Sequence, residues 1–231
     1  GTYRIVLESG QRRMVTQLFG MHVSPAVVGE ILRSEDPADA LALRGKRVRA
    51  TIFYSDIRGF TTLSESMEPE AVYAQLNEYF DAMCAAIFER GGYVDKFIGD
   101  CVMAVFSAPF QTPDDARNAV AAAIEQQRVI QRLNRKWTDE RKPALAVGMG
   151  INTGDVIMGN LGASSRMNYT VVGDAVNLAA RLYDIARGGE IVISESTYDA
   201  CGRQFAVEPR EPVTVRGKAQ PVRIYRVIDD A

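Results

Sequence analysis

The sequence has only one histidine, His22, and it lies far from every motif described below. Nucleophilic mechanisms that use Ser/His/Asp or Cys/His side chains are therefore nearly excluded. The three cysteines, Cys84, Cys101 and Cys201, are widely separated and include no CxxC spacing. We therefore expect buried reduced thiols, and neither a disulfide framework nor a zinc site. Any chemistry must depend on carboxylates, metal ions and cationic side chains.

Long apolar runs and a strong charge of either sign are also missing. No run approaches the ~18 residues that cross a bilayer, and no signal peptide is recognisable, so we expect a soluble chain. The formal net charge is -2, with Lys and Arg dispersed, so nothing favours nucleic acid as a partner. The 231 residues, 47% of them hydrophobic, fit one α/β domain with an N-terminal extension.

The extension has a pattern of its own. Apolar positions recur through residues 14–33, and Ser24-Pro25 between them is typical of a helix N-terminus. We predict a helical lead-in over residues 1–45 and one domain over residues 46–231.

The clearest signal in that domain is a β-hairpin. Apolar runs lie on both sides of Gly99-Asp100, and such a pair favours a type I′ turn, which needs positive φ at both central residues. The turn places the Asp100 carboxylate at an exposed tip between two buried strands. There it is held rigidly and stays reachable, as a metal ligand must be.

Asp56 is the expected partner of Asp100, because it follows a β-branched and aromatic strand and precedes a helix start. Two carboxylates about 4 Å apart repel by roughly 4 kcal/mol at an effective dielectric constant of ~20, so we expect a divalent cation between them. The amides of Gly59, Phe60 and Thr61 at the helix start would form an anion cradle beside it. A metal and a phosphate cradle together indicate nucleotide chemistry.

The rest of the domain has the pattern of an α/β fold. The sequence predicts a capping box of Thr61 or Thr62 with Glu65, a helix over 69–90, a helix from Pro113, a strand over 144–152 and a turn at Thr153-Gly154-Asp155. The order of strand, helix, strand hairpin, helix and strand matches a ferredoxin-like βαββαβ core with additional strands and helices.

Three segments resemble the motifs of the class III nucleotidyl cyclases and occur in that family's order. They are Phe53-Tyr54-Ser55-Asp56-Ile57-Arg58-Gly59-Phe60-Thr61, Lys96-Phe97-Ile98-Gly99-Asp100 and Tyr169-Thr170-Val171-Val172-Gly173-Asp174-Ala175-Val176-Asn177-Leu178-Ala179-Ala180-Arg181. The resemblance covers roughly residues 45–228. The three motifs together strongly favour the family.

The resemblance implies metal-dependent cyclisation of a nucleotide. Asp56, Asp100 and the backbone carbonyl of Ile57 are then expected to hold two divalent cations, Mg²⁺ or, in vitro, Mn²⁺. The 3′-hydroxyl of the substrate attacks its own α-phosphorus, and the products are a 3′,5′-cyclic monophosphate and pyrophosphate.

Three further residues match positions with known roles in the family. Asn177 and Arg181, at i and i+4 on one face of a predicted helix, match the pair that orients the ribose and stabilises transition-state charge. Lys218, in Arg216-Gly217-Lys218, matches a lysine that reaches the terminal phosphates.

Lys96 and Thr170 match the positions that select the base. A lysine can donate to N1 of adenine and a hydroxyl can accept from its 6-amino group, whereas guanine presents the opposite pattern. The resemblance therefore implies an adenylyl cyclase that makes cyclic AMP from ATP. The threonine resembles a bacterial class IIIb-like subclass that includes bicarbonate-responsive members, so bicarbonate regulation is a hypothesis.

The family also implies partners. Its metal residues and transition-state residues come from opposite sides of a head-to-tail dimer, so a chain with both sets is expected to form a homodimer with two equivalent sites. Cyclase domains of this kind commonly follow a sensor or membrane module, and we expect this domain to be cytoplasmic even if the parent protein is membrane-anchored. Two alternatives stay open: a guanylyl cyclase, and a catalytically silent nucleotide-binding dimerisation module.

Overall fold

The computed structural model describes residues 45–107, 111–163, 166–214 and 220–228. The lead-in predicted over residues 1–45 lies outside these ranges except for Gly45, and so do His22 and Lys218. In chain order the elements are β1 (Lys46–Ile57), α1 (Phe60–Glu65), α2 (Pro69–Glu89), β2 (Tyr93–Ile98), β3 (Cys101–Phe106), α3 (Asp115–Asp139), β4 (Val147–Ala163), β5 (Arg166–Val172), α4 (Asp174–Ile185), β6 (Ile191–Ser194), α5 (Glu195–Ala200), β7 (Val207–Val213) and β8 (Val222–Val227). No helix among them is both long and apolar enough to cross a bilayer.

The predicted ferredoxin-like core is confirmed. Within the described ranges the strands form one sheet of order β2-β3-β1-β4-β6-β8-β7, and β5 pairs with β4 outside this path. β1 lies between β3 and β4 and is antiparallel to both. The strands β1 to β4, connected by α2 and α3, therefore make the βαββαβ unit, and the elements from β5 onward are the additions.

The two faces of the sheet bury different helices, because side chains alternate along a strand. On one face Phe53 belongs to a core cluster with Met83 of α2 and Val120 of α3. On the other face Ile52 belongs to a cluster with Ala179 of α4. β1 is thus fixed from both sides, and its last residues are held in place at the edge of the core.

A glycine allows α4 to pack closely on β4. A Cβ at Gly150 would lie 2.1 Å from the backbone nitrogen of Tyr183 and 2.7 Å from the carbonyl oxygen of Ala179. Since both neighbours are backbone atoms of α4, the helix could not accommodate a side chain there without shifting. Gly150 therefore sets the position of the helix that carries Asn177 and Arg181.

The hairpin is confirmed, but its predicted turn type is wrong. β2 ends at Ile98 and β3 begins at Cys101, so Gly99-Asp100 is a two-residue loop. Of these two residues only Gly99 has positive φ, at 63°. Glycine with positive φ at the first central position is the pattern of a type II′ turn, which also matches the twist of the strands.

Two other local predictions are wrong. No turn forms at Thr153-Gly154-Asp155, because β4 continues through it and pairs there with Arg49–Thr51 of β1. Gly154 serves helix packing instead, since a Cβ there would lie 2.9 Å from the Cβ of Ala175. The capping box does not form either: α1 has Gly59 as its N-cap, at φ 69°, with no side-chain hydrogen bond to the helix start.

Candidate active site

Asp56 and Asp100 come together at one end of the central strands. Asp56 is the penultimate residue of β1, and Asp100 lies in the turn that leads into β3. Because β1 and β3 pair with Ser55 opposite Val102, the two aspartates lie at the same end of the sheet. The two carboxyl groups lie close enough for the charge of Asp100 to raise the pKa of Asp56.

The electrostatics of this pair favour a bound cation. Burial raises the pKa of Asp56 to about 6; Arg58 opposes the shift, and the charges of Asp100 and Asp184 add to it. Burial also raises the pKa of Asp100, and the nearby backbone amides of Asp100 and Ile57 oppose this shift. Two adjacent carboxylates with raised pKa values are the arrangement that a divalent cation would relieve.

Arg58 is a counter-ion already in place. Its Nη2 lies 2.6 Å from Oδ2 of Asp56, with the guanidinium 5.7 Å from the ring centroid of Tyr183. A Cβ at Gly148 would lie 2.9 Å from Nε of Arg58, so this glycine makes room for the arginine. The ion pair occupies one oxygen of Asp56. It makes the site less negative but does not neutralise both aspartates.

A second polar cluster joins β2 and β5. The ammonium of Lys96 donates to the hydroxyl of Thr170 over 3.0 Å, and that hydroxyl donates to Oδ2 of Asp95 over 2.8 Å. Lys96 is also 3.1 Å from the same carboxylate oxygen. Burial raises the pKa of Asp95, while Thr170 and Lys96 both oppose the shift, so the three groups are electrostatically coupled.

Asn177 and Arg181 lie one turn apart on α4, and both are exposed. Within the described ranges no hydrogen bond or ion pair links either side chain to Asp56 or Asp100. The structure thus brings the predicted site residues together as three separate groups: the aspartate pair, the Lys96–Thr170 pair and the α4 pair. Gly59, Phe60 and Thr61 follow the aspartate strand directly, as the cap and first residues of α1.

Comparison with known proteins identifies the family. The family described as the adenylate and guanylate cyclase catalytic domain matches residues 45–228. This chain belongs to that family.

The curated relatives of the cyclase domain are longer proteins. An adenylate cyclase from Anabaena cylindrica is 39% identical over 194 residues, which are 78% of this chain and 36% of that protein. A terminal-differentiation-specific adenylate cyclase from Dictyostelium discoideum is 40% identical over 184 residues, which are 78% of this chain and 8% of that protein. The chain therefore spans well under half the length of either relative.

Solved structures of both adenylyl and guanylyl cyclases resemble this domain. The adenylyl cyclase CyaB from P. aeruginosa is 41% identical with a TM-score of 0.77, over 82% of this chain and 98% of that one. The guanylyl cyclase Cya2 is 40% identical with a TM-score of 0.76, over 80% of this chain and 94% of that one. Because the two are almost equally similar, overall likeness does not select the base, and the residues of the base site must do so.

Cyclases of this family use divalent metal ions, and the aspartate pair fits such an ion. Carboxylate oxygens are the ligands that Mg²⁺ and Mn²⁺ prefer. In the part of the chain that the structure describes, no group of three or more His, Cys, Asp or Glu side chains is arranged to hold a metal.

Two residues that contact predicted site residues, Arg58 and Asp95, were missed by sequence reasoning. Arg58 lies inside the first motif, but roles were assigned from the sequence only to the residues around it. Asp95 stands directly before Lys96, and an acid beside a lysine is typical of an exposed strand. The signal for Asp95 was weak, because its carboxylate is buried through the bulge in β2 and the contact with Thr170, neither of which a local pattern predicts.

Proposed function

We propose that this chain is an adenylyl cyclase catalytic domain that converts ATP to 3′,5′-cyclic AMP and pyrophosphate. The observation that carries the proposal is the juxtaposition of Asp56 and Asp100 in a chain of the cyclase family. The names of the Anabaena and Dictyostelium relatives support adenylyl rather than guanylyl activity.

Asp56, Asp100 and the backbone carbonyl of Ile57 are the proposed ligands of two divalent cations, Mg²⁺ in the cell and Mn²⁺ in vitro. When bound, these cations lower the pKa of the attacking hydroxyl and neutralise the triphosphate. Arg58 pairs with Oδ2 of Asp56, so a metal ion bound to Asp56 would share this oxygen with the guanidinium or displace it. A displaced guanidinium could keep its cation–π contact with Tyr183.

In the proposed reaction the 3′-oxygen of ATP bonds to the α-phosphorus, and the bond from that phosphorus to the bridging oxygen breaks. Pyrophosphate leaves with the bonding electrons, and the hydroxyl proton passes to solvent. Asn177 and Arg181 would orient the ribose and donate to the phosphate oxygens as negative charge builds on them. The amides of Gly59, Phe60 and Thr61, with Lys218, would bind the other phosphates.

Base choice depends on Lys96 and Thr170. Thr170 is 5% exposed and Lys96 reaches its hydroxyl, so the two polar groups act as one site. The ammonium would donate to N1 of adenine and the hydroxyl would accept from the 6-amino group. If the bound base covers these polar groups, such a site can reject a base with the opposite pattern by up to ~10⁴ or more.

A head-to-tail homodimer with two equivalent sites completes the proposal. The aspartate pair and the α4 pair are separate within one chain, so a second copy would bring one pair to the other. A guanylyl cyclase domain from Blastocladiella emersonii, 28% identical with a TM-score of 0.69, is described as a non-canonical dimer, so it supports dimer formation and not the head-to-tail geometry.

Regulation and location belong to the same proposal. A bacterial light-regulated adenylyl cyclase, 27% identical with a TM-score of 0.79, aligns with 97% of this chain and 63% of its own length. It supports control by an attached sensor module in a larger protein. Bicarbonate regulation and a cytoplasmic location stay predictions.

The test is an assay of the purified chain with ATP and with GTP, each with Mg²⁺ and with Mn²⁺. Cyclic AMP from ATP, in excess over cyclic GMP from GTP, is the expected result. Predominant cyclic GMP would identify a guanylyl cyclase. Nucleotide binding without any cyclic product would favour the silent dimerisation module.

A further inference from the structure

Asp95 is a buried carboxylate with no role in the reaction described so far. Its side chain is 0% exposed. The register of β2 with β3 shifts between Val94 and Lys96, so Asp95 has no partner residue in β3. A bulge of this kind re-aims side chains. Here the side chains of two successive residues, Asp95 and Lys96, both reach the hydroxyl of Thr170.

Asp95 determines what the Thr170 hydroxyl can offer to a ligand. A hydroxyl has one hydrogen and two lone pairs. The hydrogen is donated to Oδ2 of Asp95, and one lone pair accepts from Lys96, which can only donate. One lone pair is left. Toward a bound base, therefore, Thr170 is an acceptor.

An acceptor at this point distinguishes purines at C6. Adenine carries an amino group there, which donates, whereas guanine and hypoxanthine carry a carbonyl oxygen, which cannot. A threonine without Asp95 could rotate its hydroxyl and donate to that oxygen. A threonine alone therefore discriminates weakly between 6-amino and 6-oxo purines. A threonine whose hydroxyl hydrogen is donated to Asp95 discriminates strongly.

We infer that Asp95 is a positioning residue for base choice, which makes the Thr170 hydroxyl an acceptor and the Lys96 ammonium an oriented donor. The site then selects 6-amino over 6-oxo purine nucleotides. This inference rests on the proposed function, in which Lys96 and Thr170 contact the base.

A purely structural role accounts for this carboxylate less well. Its second oxygen, Oδ1, is buried and has no hydrogen-bond partner in the described part of the chain, and the same holds for the hydroxyl of Tyr93. Buried polar atoms without partners cost folding free energy, and an apolar side chain in such a place is often more stable. The carboxylate therefore fits a functional constraint better than a stabilising one.

Asp95→Leu tests the inference because it removes the acceptor and keeps a similar side-chain size. Inosine triphosphate is the probe, since it differs from ATP only in its 6-oxo group and the hydrogen on N1. In D95L the ratio of kcat/KM for inosine triphosphate to that for ATP should rise by about tenfold. ATP stays the better substrate, because Lys96 still opposes the N1 hydrogen. D95N keeps an acceptor oxygen, so its ratio should stay closer to wild type.

A double-mutant cycle separates this role from a general disturbance of the site. Thr170→Val removes the hydroxyl and leaves only the ion pair of Asp95 with Lys96, so adding D95L to T170V should change the ratio much less than adding it to the wild type. Asp115 is another buried carboxylate, bonded to Thr112, and D115N is the matched control for D95N. It should keep the wild-type ratio. An unchanged ratio in D95L, or the same rise with and without the Thr170 hydroxyl, would overturn the inference.

A binding measurement keeps the two proposals distinguishable. Competition of ATP and of inosine triphosphate against a fluorescent ATP analogue reads base preference without turnover, and circular dichroism shows whether each variant is folded. A wild-type chain that makes no cyclic product refutes the proposed activity, and its binding ratio still tests Asp95. Equal affinity of the wild type for ATP and inosine triphosphate would refute the role of Asp95.

Discussion

Replacing Asp56 by asparagine should stabilise the metal-free protein while it removes the proposed metal site. Burial raises the pKa of Asp56 from its ordinary 3.8 to about 6, with Arg58 opposing and Asp100 adding to the shift. Between pH 3.8 and about pH 6, Asp56 therefore stays protonated in the folded chain but is ionised in the unfolded chain. Ionisation of Asp56 thus costs the folded state free energy, and Asn has no charge to bury.

The size and direction of the effect follow from this pKa. A rise of about two units corresponds to about 3 kcal/mol at most, and to about 1–2 kcal/mol once partial solvent screening is included. The Asp56 penalty is absent below the unfolded pKa of 3.8 and grows as pH rises toward the folded value of about 6. Above that pH it is fully present. D56N should therefore gain stability at neutral pH and little in acid.

The assay is urea unfolding of both proteins in a chelator, at about pH 7.5 and about pH 4.5. The same titration with Mn²⁺ in place of the chelator is the control. Mn²⁺ should raise the unfolding free energy of the wild type at neutral pH and leave that of D56N unchanged. An equal gain for D56N at the two pH values would show that charge is not the cause. A loss of stability at neutral pH would refute the electrostatic reading of the site.

Three other outcomes follow from the same geometry. Arg58→Met should tighten Mn²⁺ binding by about tenfold in calorimetry, since it removes a competing cation from Asp56; weaker binding would mean that the arginine supports the site. Mixed Asp56→Ala and Asn177→Ala chains should recover activity that neither variant has alone, and a mixture without activity would refute shared sites. Gly150→Ala should lower the unfolding free energy by at least about 2 kcal/mol in denaturant titrations, because its Cβ would meet the backbone of α4; an unchanged value would show that the helix can shift freely.

The core of the fold could be predicted because its signals are local and agree with one another. Gly99-Asp100 between two apolar runs predicts the hairpin. Pro69 and the apolar face that follows predict α2, which the structure has at Pro69–Glu89. Once the order of strands and helices is fixed, Asp56 and Asp100 can only meet at one end of the sheet. Each of these steps needs nothing beyond neighbouring residues and one topology.

Other features could not be predicted, because distant partners override a local pattern. Thr153-Gly154-Asp155 has the composition of a turn. β1 pairs with β4 before, within and after this segment, so the strand continues. Gln75 interrupts the apolar face of α2, yet it is buried because its amide donates to the carbonyl of Pro143 over 2.8 Å. The burial of Asp95 could not be predicted either, because it depends on a bulge in β2 and on the contact with Thr170 of β5.

The two polar clusters differ in how far their charges are balanced within one chain. The carboxylate of Asp95 accepts from the hydroxyl of Thr170 and pairs with the ammonium of Lys96, so the proposed base site has its donors and acceptors fixed before a ligand binds. Among the described residues Arg58 is the one cationic neighbour of Asp56 and Asp100, and a triphosphate would be repelled by their remaining negative charge. A base would therefore bind to donors and acceptors that are already oriented, whereas the phosphates would need divalent cations to offset the aspartate charge. It follows that nucleosides and nucleotides should share one base preference, and that only nucleotides should depend on metal for binding.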